Sequence, residues 1–195
     1  MIASINGVTI GYDDAGAGEN VLVLVHGHPF DRSMWRAQAE RMSRQADFAK
    51  AITDSSSARD AKTPSSERFI ADQAPLARSG WRVITPDLRG YGESTVIPGK
   101  TTLDVFAQDI AALLDQLDVR EVVIGGLSMG GQIVMEFCRL YPERVRGVLL
   151  AATSLQAETE EGKWNRAKMA DRLVREGMEP YAEEVLPKHV LSCLF

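Results

Sequence analysis

Ser128 stands in a Gly126-x-Ser128-x-Gly130 frame, and a serine hydroxyl so framed can attack a carbonyl carbon once a base activates it. An apolar run (Val122, Val123, Ile124) leads into the frame, and an amphipathic run (Ile133, Val134, Phe137, Leu140) leaves it. Strand, sharp turn and helix in that order are what a nucleophile elbow requires, with the serine at the apex. So tight a turn forces the serine into a strained backbone conformation, and such strain is stored at functional sites. Gly126 and Gly130 lack the β-carbons that would collide across the bend. The helix that follows points its first amides at the serine, where negative charge developing on a substrate is stabilised. The bland alternative is a glycine-rich turn that only permits close packing. The strand before and the helix after favour the elbow.

Other elements must carry that serine to a usable edge. Residues 21–25 are continuously apolar, as expected of a strand buried on both faces. They end in His26-Gly27-His28-Pro29-Phe30-Asp31, with Met34-Trp35 beyond and a helix expected over 33–41. Upstream, residues 2–5 and 8–12 flank Asn6-Gly7, a strong hairpin signal. Residues 81–85 read as the next strand, ending at Pro86-Asp87. Thr101 and Asp104 read as a capping box for a helix over 102–117, whose apolar face is Leu103, Phe106, Ile110, Leu113 and Leu117. A strand at 121–125, a helix to 141 and a strand at 145–151 complete the pattern. Strands alternating with helices after a hairpin imply an α/β fold, a mostly parallel sheet covered on both faces. In such sheets ligands bind beyond the carboxyl ends of the strands, which is where Ser128, His28 and the 87–94 loop fall. From 158 the character changes: a charged amphipathic helix runs to 176 with Gly177 at its C-cap, and Pro180 opens a short helix through 186. The expected division is therefore a core at 1–155 and the start of a helical unit at 156–195.

Composition narrows the partners. With 195 residues, 45% hydrophobic and 25% charged, the chain reads as one ordinary globular domain with a small appendage. A net charge of −5 without a basic cluster argues against nucleic acid. No leader pattern and no membrane-spanning run is legible, so no membrane partner is expected. Cys138 and Cys193 fit neither a disulfide framework nor a zinc site, which points to a reducing cytoplasm. No cofactor is expected: there is no phosphate-binding glycine loop with a suitable acid, and no cluster of metal ligands.

The segments HGHPFDRSMW, TPDLRGYGES and GGLSMGG, in this order, resemble the α/β-hydrolase fold family. The likeness is to its branch of small esterases, enol-lactonases and cofactor-free haloperoxidases. The resemblance implies a backbone oxyanion hole, with one N–H from His28 and the other from Met129. Two preorganised donors of this kind are each worth a few kcal/mol, roughly, in stabilising a tetrahedral acyl intermediate. Dehalogenases and epoxide hydrolases of the fold carry an aspartate at the elbow, so Ser128 points to acyl transfer. In the family, helices after the 145–151 strand cap the active site. Trp164, Met169, Leu173, Met178 and Tyr181 would then line a pocket, or simply pack the cap against the core.

Two departures stand beside the resemblance. Joining Glu40 to Pro75 gives an uninterrupted family segment, so 41–74 reads as an inserted flexible stretch, rich in serine and charge, with its first proteolytic nick expected between 55 and 66. The family order is serine, then acid, then histidine, with the last two after further strands. No matching acid and histidine are found before Phe195, so the chain reads as truncated. His26 is expected to be structural, His28 to contribute its backbone, and His189 to lie where the resemblance has faded. Glu158, Glu160 and Glu161 begin a charged helix and read as a solvated face.

The expected function is a serine hydrolase of small carboxylic esters or lactones, working through an acyl-enzyme at Ser128 and impaired by the missing acid and histidine. Perhydrolysis and carbon–carbon bond hydrolysis would reuse the same parts. The alternative is a catalytically incomplete hydrolase-like module that binds a small molecule or a partner chain. The 145–151 strand would be left as an exposed hydrophobic edge, open to self-association. Asp31 is expected to cap the helix near Ser33, Asp87 to tie down the 89–94 turn through backbone amides, and Lys163, Arg166 and Arg172 to be solvated.

Overall fold

Six strands form one sheet in a computed structural model that describes residues 1–43, 80–154, 156 and 159–191, the last six by backbone alone. In chain order they are β1 (Ile2–Ile5), β2 (Val8–Ala15), β3 (Asn20–Val25), β4 (Trp81–Pro86), β5 (Val122–Leu127) and β6 (Val145–Ala151). Their spatial order is β1-β2-β4-β3-β5-β6. The β1–β2 hairpin turns at Asn6 and Gly7, both at positive φ (47° and 75°), as a two-residue turn between twisted strands demands. β2 also runs antiparallel to β4, while β4, β3, β5 and β6 are mutually parallel. The chain thus has the mostly parallel α/β architecture expected.

Period-two alternation sorts the strand side chains onto two faces. Val23, Val25, Ile84, Val122 and Ile124 face a core shared with Phe106, Ile110, Leu113, Leu114, Ile133 and Phe137. Those residues belong to helices α2 (Leu103–Gln116) and α3 (Met129–Leu140). Leu22, Leu24 and Val83 face the opposite way, onto Ala39, Trp35 and Met42. Ala39 and Met42 lie on α1 (Arg36–Ser43), which a 3₁₀ turn at Arg32–Trp35 opens. Asp31 caps that turn, its carboxylate accepting the Ser33 N–H at 2.8 Å. The cap of α2 differs from expectation. Thr102, not Thr101, is its N-cap, and the Thr102 side chain makes no capping bond.

Compactness divides the chain into Met1–Ser154 and Leu155–Phe195. The second unit holds α4 (Glu160–Glu176) and α5 (Glu179–Leu191). Thr159 caps α4 by accepting the Gly162 N–H, and Gly177 ends it at φ 81°, as a C-cap glycine does. α5 runs five residues beyond the expected end at 186, because Pro187 does not break it. Arg172, expected as a solvated charge, forms surface pairs with Glu176 on its own helix and with Glu184 on the next at 2.9 Å. Of the expected insertion, residues 41–43 continue α1, and the rest, including the 55–66 cleavage region, lies outside the described residues.

Candidate active site

β5 ends at Leu127, and the chain turns at Ser128 with φ 53° and ψ −117° before α3 begins at Met129. That φ is left-handed, a region a residue with a β-carbon rarely occupies. The glycines explain why the bend holds. A methyl group on Gly126 would lie 2.3 Å from the Gly130 carbonyl, and one on Gly130 would lie 2.3 Å from Val25 O and 2.5 Å from His26 O. Helix α3 therefore presses its first turn directly onto the end of β3. Ser128 is exposed, and its hydrogen bonds among the described residues come from its backbone. The Ser128 N–H donates to Ala151 O at 2.9 Å. Its carbonyl accepts from Gly131 N (3.0 Å), Gln132 N (3.3 Å) and Thr153 Oγ1 (2.8 Å).

The loop after β3 passes beside this bend. A methyl group on Gly27 would lie 2.8 Å from Leu127 O and 3.3 Å from Ser128 Cβ. Parallel pairing of Val25 with Gly126 delivers both chain segments to the same sheet edge. The loop then closes as a turn in which the Phe30 N–H donates to Gly27 O at 3.0 Å, across a cis His28-Pro29 bond. His28 is exposed, its Nδ1 lying 3.0 Å from the Tyr91 hydroxyl.

His26 is fully buried beneath the same loop. Its Nε2 accepts the Leu88 N–H at 3.0 Å, which leaves the proton on Nδ1 facing Gly27 O at 3.1 Å. Burial pushes its pKa below the usual 6.5, against the pull of the Gly27 carbonyl and the Asp87 charge. The ring is thus a neutral brace between the β3 and β4 loops, the structural part expected of it.

Asp87 does more than expected. Its carboxylate accepts the Glu93 N–H at 2.8 Å, tying down the turn, but also accepts the Arg32 N–H at 2.8 Å and pairs with the Arg32 guanidinium. Gly92 (φ 51°) makes room, since a methyl group there would lie 2.1 Å from Asp87 Oδ2. Arg32 also pairs with Glu93, and with Asp13 at 3.2 Å. This strap joins the 27–35 loop to the 87–94 loop. Its partners lie far apart along the chain in polar segments without periodicity, so nothing in the sequence pairs them.

Among the residues expected at the site, Ser128, Met129 and His28 come together at one sheet edge. Trp164 and Met169 lie on α4, Tyr181 on α5 and Met178 between them, all in the second unit. Trp164 is 63% exposed, with the Lys168 ammonium 5.2 Å above its ring, and Met178 is 51% exposed. Among the described residues, no group of three or more His, Cys, Asp or Glu is placed to hold a metal ion. No described helix is long and apolar enough to cross a membrane.

A strained serine at a strand-to-helix bend, beside a backbone loop on the carboxyl edge of a parallel sheet, defines a class of protein. The chain belongs to the alpha/beta hydrolase fold family, whose family model matches residues 61–181. A 2-hydroxy-6-oxononadienedioate/2-hydroxy-6-oxononatrienedioate hydrolase of Escherichia coli is 28% identical over 142 residues, which is 72% of this chain and 38% of that protein. A thermophilic esterase from Thermogutta terrifontis superposes with a TM-score of 0.73 at 33% identity, covering 96% of this chain and 57% of that one. An enol-lactonase from Burkholderia xenovorans superposes with a TM-score of 0.68 at 25% identity, covering 96% and 58%. The chain thus spans well under two thirds of the length of each of these relatives.

Proposed function

We propose that this chain carries the nucleophile and oxyanion hole of a serine hydrolase acting on small carboxylic esters or lactones. Ser128 Oγ attacks the substrate carbonyl, and the His28 and Met129 N–H groups receive the oxyanion. The acyl carbon–oxygen bond then breaks, leaving the acyl group on Ser128 and the alcohol oxygen carrying the serine proton. One observation carries the reading: Ser128 is exposed at φ 53° in a bend that its flanking glycines make sterically possible. A serine held so exists to present its hydroxyl, since a packing turn would use glycine there. The similar esterase and enol-lactonase support ester or lactone substrates, and the similar Escherichia coli hydrolase supports hydrolysis as the reaction class.

A second reading, an incomplete hydrolase-like module that binds a small molecule or partner chain, is favoured by how the histidines are used. Both ring nitrogens of His26 are engaged by backbone, and His28 Nδ1 faces Tyr91. A fluorophosphonate probe separates the two. Covalent labelling at Ser128, abolished by Ser128→Ala, supports acyl transfer. A folded chain that takes no label supports the binding module.

A further inference from the structure

Thr153 lies just beyond β6 and holds the nucleophile bend by its side chain, Oγ1 donating to Ser128 O at 2.8 Å. Two residues earlier, Ala151 O receives the Ser128 N–H. The last residue of β6 and the segment just beyond it therefore grip both sides of the Ser128 backbone. Two local features put Thr153 there. Ala152 adopts φ 43°, an uncommon left-handed conformation for a residue with a β-carbon. Gly131 leaves the space Thr153 fills, since a methyl group there would lie 2.7 Å from Thr153 Cβ and Cγ2 and 2.8 Å from Oγ1.

We propose that Thr153 is a positioning residue for the oxyanion hole, acting on the Met129 N–H through the peptide plane that it shares with Ser128 O. A trans peptide is planar, with its C=O and N–H pointing in opposite directions. Whatever fixes the Ser128 oxygen therefore aims the Met129 hydrogen. The Gly131 and Gln132 amides hold that oxygen from within the first turn of α3, and Thr153 holds it from outside the helix. Without the outside donor the plane can rock about the two helical bonds, and the Met129 N–H swings with it. An oxyanion donor works because it is already aimed before charge develops, so rocking costs rate rather than ground-state binding. The inference rests on the acyl-transfer reading above, in which Met129 supplies an oxyanion donor.

The test compares Thr153→Val, which keeps the shape and removes the hydroxyl, with Thr153→Ser, which restores it. The maximal rate of fluorophosphonate labelling at Ser128 should fall about tenfold in the Val variant, a fraction of what losing a whole oxyanion donor costs. It should return in the Ser variant, while the probe concentration for half-maximal rate stays constant. Equal rates in all three proteins overturn the proposal. So does a loss that tracks the melting temperature across both variants or that serine does not restore. A wild-type chain that takes no label refutes the acyl-transfer reading instead. Thr153 is then judged by the ¹⁵N order parameter of the Met129 amide: a drop in the Val variant, restored by serine, upholds the positioning role, and an unchanged value overturns it.

Discussion

His26 is a titratable ring held neutral in a core, and that has a consequence for pH. Because burial depresses its folded pKa below 6.5, the unfolded chain takes up a proton near that pH that the folded chain refuses. Below about pH 6.5 the unfolded state then binds more protons, so stability rises with pH through this window. The contribution is complete above the unfolded value and drains away as pH falls toward the folded one. The melting temperature should drop between pH 7 and pH 5, with a flatter slope in His26→Gln. An undiminished slope in that variant would assign the proton to another group. Asp87 predicts a larger effect. Its side chain is wholly buried and faces the Arg32 guanidinium, itself 16% exposed. Asp87→Ala would take away the buried one of Arg32's three carboxylate partners, leaving Glu93 and Asp13. It would also orphan the Arg32 and Glu93 amides, at a cost of about 2–4 kcal/mol in urea unfolding. A loss below about 1 kcal/mol would mean that water takes over the carboxylate's role. Asp87 as a turn anchor was legible from its place after a strand and before a glycine-rich loop. Its partner was not, because Arg32 sits among polar residues that any surface loop could contain.

At the scale of elements, the bend depends on absent side chains, and this too can be measured. Gly130→Ala would drive a methyl group into the carbonyls of Val25 and His26, so helix and strand must separate. A stability loss of about 3 kcal/mol is expected, with labelling at Ser128 lost in the fraction that remains folded. Gly147→Ala is the contrasting case. The nearest atoms to its methyl group are those of Val123 at 3.6 and 3.7 Å, so ordinary contact results and unfolding should show no loss, or a gain of up to about 1 kcal/mol from the stiffer unfolded chain. If both variants melted alike, the crowding would not be what holds the bend. The strands were legible because buried parallel strands are continuous apolar runs, and the elbow because a glycine frame sat between a strand and a helix. Helix ends were less so. Thr101 and Thr102 are adjacent candidates for one cap, and nothing in the residue types selects between them. Thr153 carried no signal at all, since its role arises only where Ala152 turns the chain back onto Gly131.

At the scale of the whole molecule, β6 has only β5 beside it among the described residues. Val148, Leu149 and Leu150 on that strand are 44–50% exposed. An apolar strand with an unpaired edge is a template for another strand. We therefore expect concentration-dependent self-association in sedimentation, suppressed by Leu149→Lys. A wild-type chain that stays monomeric across the concentration range would remove this expectation.

The pairing of Val25 with Gly126 has one more consequence. The two halves of the site arrive from segments widely separated along the chain, and neither half has chemistry of its own until β3 and β5 lie side by side. Covalent capture by an electrophile added at intervals during refolding would therefore time when the central strands dock. Serine reactivity becomes a clock for the assembly of the sheet.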